Sequence, residues 1–303
     1  ADHRLAVRSQ DILPLTGLLA GELGLTVSGL DFSAVKFHAP WIKALVRDLK
    51  KNPGASVVIP GEYQPEEVHL LAHAINELLG SQGKTVEYTE VPEFRAQSNL
   101  ESLSDLVTDM QSGKVDVLLM IGVNPVFDAP ADLNFLAALD KVPLRIHAGL
   151  YEDETSEHSH WHLPEAHYLE TWSDVRGFDG TITIMQPLIE PLFDGRSIHE
   201  ILSGVLGQSS KAGLDILKDS WKPRWESLKQ KNPEVSPDFE KFWRKSLHDG
   251  VVEGTSFAPQ EVKIQRGNFT LSNKVNTQEI EIIFRPDPSI WDGRFANNAW
   301  LQE

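Results

Sequence analysis

Residues 115–125 read Val115-Asp116-Val117-Leu118-Leu119-Met120-Ile121-Gly122-Val123-Asn124-Pro125. From Val117 to Ile121 the run is wholly apolar, too short for a helix and closed by a glycine. A strand apolar on both faces is expected to be buried on both, as in a parallel sheet covered by helices. Leu118, Leu119 and Ile121 are therefore expected in the core. The Gly122–Pro125 turn then leaves the C-terminal end of that strand, where open α/β sheets place their ligands.

The flanking sequence extends this pattern. Short helices are predicted near 12–21 and from Pro40 to about Lys51, where Asn52-Pro53-Gly54 ends the run. Ser56–Ile59 reads as a buried strand. A helix follows, opened by Pro65 and two glutamates and closed near Gly80. Thr85–Thr89 reads as a strand, 100–111 as a helix, 131–139 as a helix and 144–148 as a further strand. Alternation of this kind, with short connections, predicts parallel strands joined by crossover helices. After 150 the rhythm breaks. Thr181–Met185 alternates like a strand, 198–206 is helical, and 211–249 forms two helices separated by Asn232-Pro233, with Trp221, Trp225, Phe239, Phe242 and Trp243 packing between them. From Glu261 onward Val262, Ile264, Phe269 and Leu271, then Ile280, Ile282 and Phe284, alternate like a half-exposed hairpin.

The predicted fold class is α/β: a Rossmann-like doubly wound parallel sheet with helices on both faces, plus a C-terminal β-rich segment. The expected domains are 1–207 (α/β), 208–254 (helical insertion or outer layer) and 255–303 (β-rich, the start of a further domain).

Bulk properties narrow the function. The chain has 303 residues and a net charge of −16, from 44 acidic and 28 basic side chains. Such a balance repels phosphate backbones and anionic lipid, which argues against nucleic-acid partners and against membrane-surface binding. No apolar stretch approaches the roughly 20 residues of a membrane helix. Cysteine is absent, so these residues supply no disulfide, no thiolate for zinc or molybdenum and no cysteine ligands for an iron–sulfur cluster. The chain opens Ala-Asp-His and stops at Leu-Gln-Glu, and it reads as an excised piece of something longer.

No P-loop, dinucleotide fingerprint or serine nucleophile elbow stands out. His158, His160 and His162 alternate, with His167 nearby, and imidazole clusters bind zinc, copper or nickel. Trp161 interleaves them and no His-Glu-x-x-His spacing is present. The metal assignment is accordingly none, with these four histidines as candidates and Glu165 as a possible supplement. Glu154 and Thr155 read either as cofactor contacts or as a helix start, with the carboxylate at the positive end.

Three pieces in order, Ile121-Gly122-Val123-Asn124-Pro125, Glu154-Thr155 and His162-Leu163-Pro164 with Leu169-Glu170, resemble the molybdopterin oxidoreductase superfamily, the dimethyl-sulfoxide-reductase-like enzymes. A closer likeness lies in His162-Leu163-Pro164, Glu170-Thr171-Trp172-Ser173-Asp174, Gln186-Pro187-Leu188-Ile189 and Asn297-Asn298-Ala299-Trp300-Leu301-Gln302-Glu303. These are similar to the molybdopterin-like iron–sulfur subunits of bacterial alternative complex III, a membrane-bound quinol-oxidising respiratory assembly. The resemblance implies a molybdopterin-oxidoreductase-like fold in which Gly122, Asn124, Pro125, Glu154 and Thr155 occupy a vestigial cofactor-binding position and no residue is catalytic.

Its further implications are no cofactor in this fragment, iron–sulfur clusters elsewhere in the parent chain, and partners among the other subunits of the complex and the iron–sulfur half of the parent. The expected location is bacterial, peripheral to the cytoplasmic membrane on its periplasmic side, without direct membrane insertion. Asp128 and Asp132, at the start of the helix after the turn, would repel a nucleotide phosphate there. One alternative is a fragment of an active molybdopterin-dependent oxidoreductase of the polysulfide or thiosulfate reductase type. The other is a histidine-based metal-binding protein.

Overall fold

The computed structural model describes residues 2–92, 97–208, 211–264, 268–273, 280–291, 293 and 295–303. In chain order the first elements are α1 (Ile12–Leu23), β1 (Val27–Ser28), α2 (Ala39–Lys51), α3 (Glu66–Leu78), α4 (Asn99–Gln111), β2 (Val117–Ile121), α5 (Pro125–Asp128) and α6 (Phe135–Leu139). There follow β3 (Leu144–Gly149), α7 (Glu154–Glu157), β4 (Trp161–Pro164), β5 (Ser173–Arg176), β6 (Ile182–Met185), α8 (Ile198–Val205), α9 (Gly213–Lys231), α10 (Phe239–Asp249), β7 (Phe269–Thr270) and α11 (Ala299–Gln302). The fold is mixed α/β, with parallel sheets flanked by helices and a strand toward the C-terminus. The chain divides into two compact units, Ala1–Thr89 with Ala258–Glu303, and Glu90–Phe257.

In the first unit the apolar stripes of α1, α2 and α3 meet around Leu19, Ile42, Leu71 and Ile75. β1 pairs in parallel with β7, so that Phe269 joins this core. The expected strand at 56–59 is not one. Val58 spends its backbone N–H and C=O on the side-chain amide of Asn76, at 2.8 Å each, and Ser56 C=O accepts from Ser81 and Thr85 hydroxyls. A segment so satisfied by side chains leaves nothing for a neighbouring strand. Thr85–Thr89 likewise makes only isolated bridges, Gln82 with Val86 and Tyr88 with Gln260. The C-terminal hairpin is reduced to β7, paired with β1. Ile280, Ile282 and Phe284 are exposed outside any strand, and 265–267 and 274–279 lie outside the described residues.

The second unit carries the three-stranded parallel sheet β2–β3–β4. Leu118 and Met120 point to one face and pack with Val107 and Met110 of α4 and Phe135 and Leu139 of α6. α4 starts where Ser98 accepts a hydrogen bond from Glu101 N–H, a side-chain cap. The expected continuous helix over 131–139 is split: a 3₁₀ turn, Ala131–Leu133, precedes α6, with Asn134 between them in the left-handed region at φ 48°.

The expected full burial of Leu118, Leu119 and Ile121 does not hold. All three are half-buried, Met120 alone in the strand is buried, and Val117 is exposed. β2 is an edge of its sheet, with β3 at the centre, and an edge strand keeps one flank open. Beyond β4, the antiparallel pair β5–β6 packs with α9 and α10 around Trp221, Phe242 and Trp243. The aromatic run of 221–243 is thus helix packing, as its spacing suggested.

Candidate functional site

The candidate residues meet at the C-terminal ends of β2, β3 and β4. β2 ends where Gly122 N–H donates to Ala148 C=O at 2.8 Å, and Gly122 then turns at φ 61°, a conformation that favours glycine. Pro125 opens the single turn of α5, its missing N–H costing nothing at a first helical position. Across the sheet end, Asp153 caps α7 by accepting from Ser156 N–H at 2.9 Å, which places Glu154 and Thr155 in that helix's first turn.

Asn124 joins the two segments. Its Nδ2 donates to Glu154 Oε2 at 2.7 Å, and its Oδ1 accepts from Thr155 Oγ1 at 2.7 Å and from Thr155 N–H at 3.2 Å. Thr155 Oγ1 in turn accepts from Val126 N–H at 3.1 Å, and Thr155 is 0% exposed. The bond from Asn124 holds the Glu154 carboxyl below its usual range. Gly122, Asn124, Pro125, Glu154 and Thr155 are therefore one local assembly whose polar groups are turned on one another.

Below it lies a histidine pair, His147 with His162, of which the sequence pattern singles out only His162. His147, on the central strand, is 1% exposed. Its Nε2 pairs with Val123 C=O at 3.1 Å, and its Nδ1 with His162 Nδ1 at 3.1 Å. The carbonyl can only accept, so His147 donates to it from Nε2. Asp153 Oδ1 stands 3.8 Å from His147 Nδ1. A lone histidine in a mixed strand gives no signal. Only the β3–β4 register, which pairs His147 with His162, reveals the contact.

The other candidate histidines disperse. His158 ends α7, His160 Nδ1 accepts from Arg145 N–H at 3.1 Å, and His167 Nδ1 accepts from Leu169 N–H at 3.3 Å. Among the described residues no three His, Cys, Asp or Glu side chains are grouped as metal ligands would be. Glu165 follows β4 with its Oε2 3.4 Å from where a Cβ on Gly122 would stand, and burial pushes its carboxyl above the usual range.

The later motif residues are also engaged within the protein. Glu170 accepts from His167 N–H at 3.0 Å and from Leu192 N–H at 3.3 Å. Asp174 Oδ2 accepts from Trp221 Nε1 at 2.9 Å and from Arg224 at 3.2 Å.

Both ends of the Asn124 amide are engaged, the Thr155 hydroxyl is sealed from solvent, and the Glu154 and Glu165 carboxylates flank the Gly122–Pro125 turn. The arrangement ties the β2–α5 and β3–α7 loops together.

No family model matches the chain, and no curated protein matches it. Among solved structures it is similar to acetylene hydratase from Pelobacter acetylenicus, with a TM-score of 0.47 and 13% identity over 82% of this chain and 45% of that one. The chain thus spans less than half the length of that structure. Among the described residues no helix is long and apolar enough to cross a membrane.

Proposed function

We propose that this chain is a molybdopterin-oxidoreductase-like scaffold that holds no cofactor and serves a respiratory quinol-oxidising electron-transfer complex by docking other protein modules. The observation that carries the reading is the closed network of Asn124, Glu154 and Thr155. The residues by which the sequence resembles a cofactor-binding family are occupied in holding the β2–α5 and β3–α7 loops to each other. With no cysteine in the chain, its iron–sulfur clusters belong to a cysteine-bearing neighbour.

Docking is supported by α8. A capping box fixes its start: Ser197 accepts from Glu200 N–H, and Glu200 accepts from Ser197 N–H. Yet its apolar stripe, Ile198, Leu202 and Val205, is exposed while Ser203 is buried. Val205 is 69% exposed, and Phe193 on the preceding loop is 83% exposed. An apolar helix stripe turned to water marks a protein-interaction surface.

Copurification tests the proposal. The protein carrying Leu202→Glu and Val205→Glu should keep its circular dichroism and melting temperature, and should lose the subunits and quinol-oxidising activity that accompany the unaltered chain. Retention of the same subunits at the same yield would reject the docking role of α8.

A further inference from the structure

The first unit contains a cavity of about 380 Å³ between the starts of α1 and α3 and the extended segment that precedes α3. Its volume falls in the range of roughly 300–1,000 Å³ common to small-molecule sites. The walls are mostly aliphatic, with Ile12, Val58, Ile59 and Val68 prominent among them. Arg285 is the one charged side chain of the lining, and it makes no hydrogen bond or ion pair among the described residues. Gln64 also lines the cavity, and its Oε1 is buried without a hydrogen-bond partner.

A buried side-chain oxygen without a partner is costly and rare in a native structure, and a bound ligand, met by either face of the amide, is one of the few ways to account for it. The Arg285 guanidinium in the lining favours an anion. Ile12 and Val68 line the cavity with their side chains, since their backbone N–H groups are already bonded to Ser9 C=O and Pro65 C=O. The acidic groups nearby, Glu62, Glu66 and Glu67, lie outside the lining. Glu62 accepts from the Tyr63 hydroxyl, which raises the phenol above its usual range.

We propose that this cavity binds a small amphiphilic monocarboxylate. The carboxylate pairs with the Arg285 guanidinium and with the Gln64 amide N–H₂, once that amide turns toward it, and a short aliphatic or single-ring body lies among Ile12, Val58, Ile59 and Val68. The chemistry is one of recognition alone, with guanidinium and amide as donors to a planar anion.

The test is calorimetric titration of the 303-residue chain with octanoate, with 1-octanol as the uncharged control. Saturable octanoate binding is expected, at least tenfold tighter than octanol. Arg285→Gln should weaken octanoate tenfold or more and leave octanol unchanged, while Arg285→Lys keeps most of the affinity. Arg285 is exposed, so these variants should fold, which circular dichroism checks. Gly61→Leu, which adds bulk to the lining, should weaken both ligands. No saturable octanoate binding, or equal affinity for octanoate in the unaltered and Arg285→Gln proteins, would overturn the proposal.

Discussion

The Asn124 amide reaches across the ends of two adjacent strands to Glu154, Nδ2 to Oε2 at 2.7 Å, while its oxygen takes the buried hydroxyl of Thr155. One side chain thereby fixes both loops at the sheet end. Asn124→Leu would leave the Thr155 hydroxyl buried without its acceptor, a loss of about 1–3 kcal/mol in urea unfolding.

The same pair predicts a pH dependence. The Asn124 bond lowers the folded pKa of Glu154, so its contribution is present above the unfolded value near 4.5 and is lost as pH falls through the folded one. The stability gap between the unaltered protein and Asn124→Leu should therefore narrow in acid. Asn124→Asp sets two carboxylates against each other and should be weakest at neutral pH, with recovery on acidification or with Glu154→Gln. A gap independent of pH would show that the Glu154 bond contributes nothing.

Glu165 carries the opposite sign. Burial raises its folded pKa above the ordinary 4.5, so ionisation costs folding free energy as pH rises through that window. Glu165→Gln should raise the urea midpoint at pH 7 and should have no effect once both states are protonated, below about pH 4. Destabilisation by Glu165→Gln at neutral pH would mean that the carboxylate has a favourable charged role.

His147 is sealed in the sheet and ties β3 to Val123 and to His162. His147→Ala removes buried volume and frees the Val123 carbonyl, at a cost of about 2–4 kcal/mol. His160→Ala, at an exposed site, should cost less than about 1 kcal/mol. Equal effects would show that the buried pair has no special part in the fold.

Trp221 is fully buried and donates to Asp174. Trp221→Phe should cost about 1–2 kcal/mol, because Arg224 still pairs with the carboxylate, and Trp221→Ala about 3–5 kcal/mol. Thermal unfolding of the two variants should place them in that order.

How much of this was legible differs by element. The helices were readable because their apolar spacing survives in the packing: α3 was read from Val68, Leu71 and Ile75, and all three are core. Strands were less so. Val57-Val58-Ile59 has the composition of a strand, but the partner that claims its backbone is the side chain of Asn76, which no local pattern announces. Val117–Ile121 was correctly read as a strand, yet its burial depended on a position at the sheet edge that the run itself does not encode. At the site, the family resemblance singled out Asn124, Glu154 and Thr155, and the fold brings them together. Their mutual hydrogen bonds, and the His147–His162 pair beneath them, depend on register and rotamer and could be seen only in three dimensions.

The proposed function holds that this chain is a scaffold without a cofactor. It is tested most directly by measuring molybdenum, tungsten and oxidised-pterin fluorescence in the protein isolated gently from its native source, together with its copurifying subunits. The account predicts neither metal nor pterin above background in the subunit that contains this chain. Stoichiometric molybdenum with a pterin, lost on Asn124→Leu substitution, would contradict it.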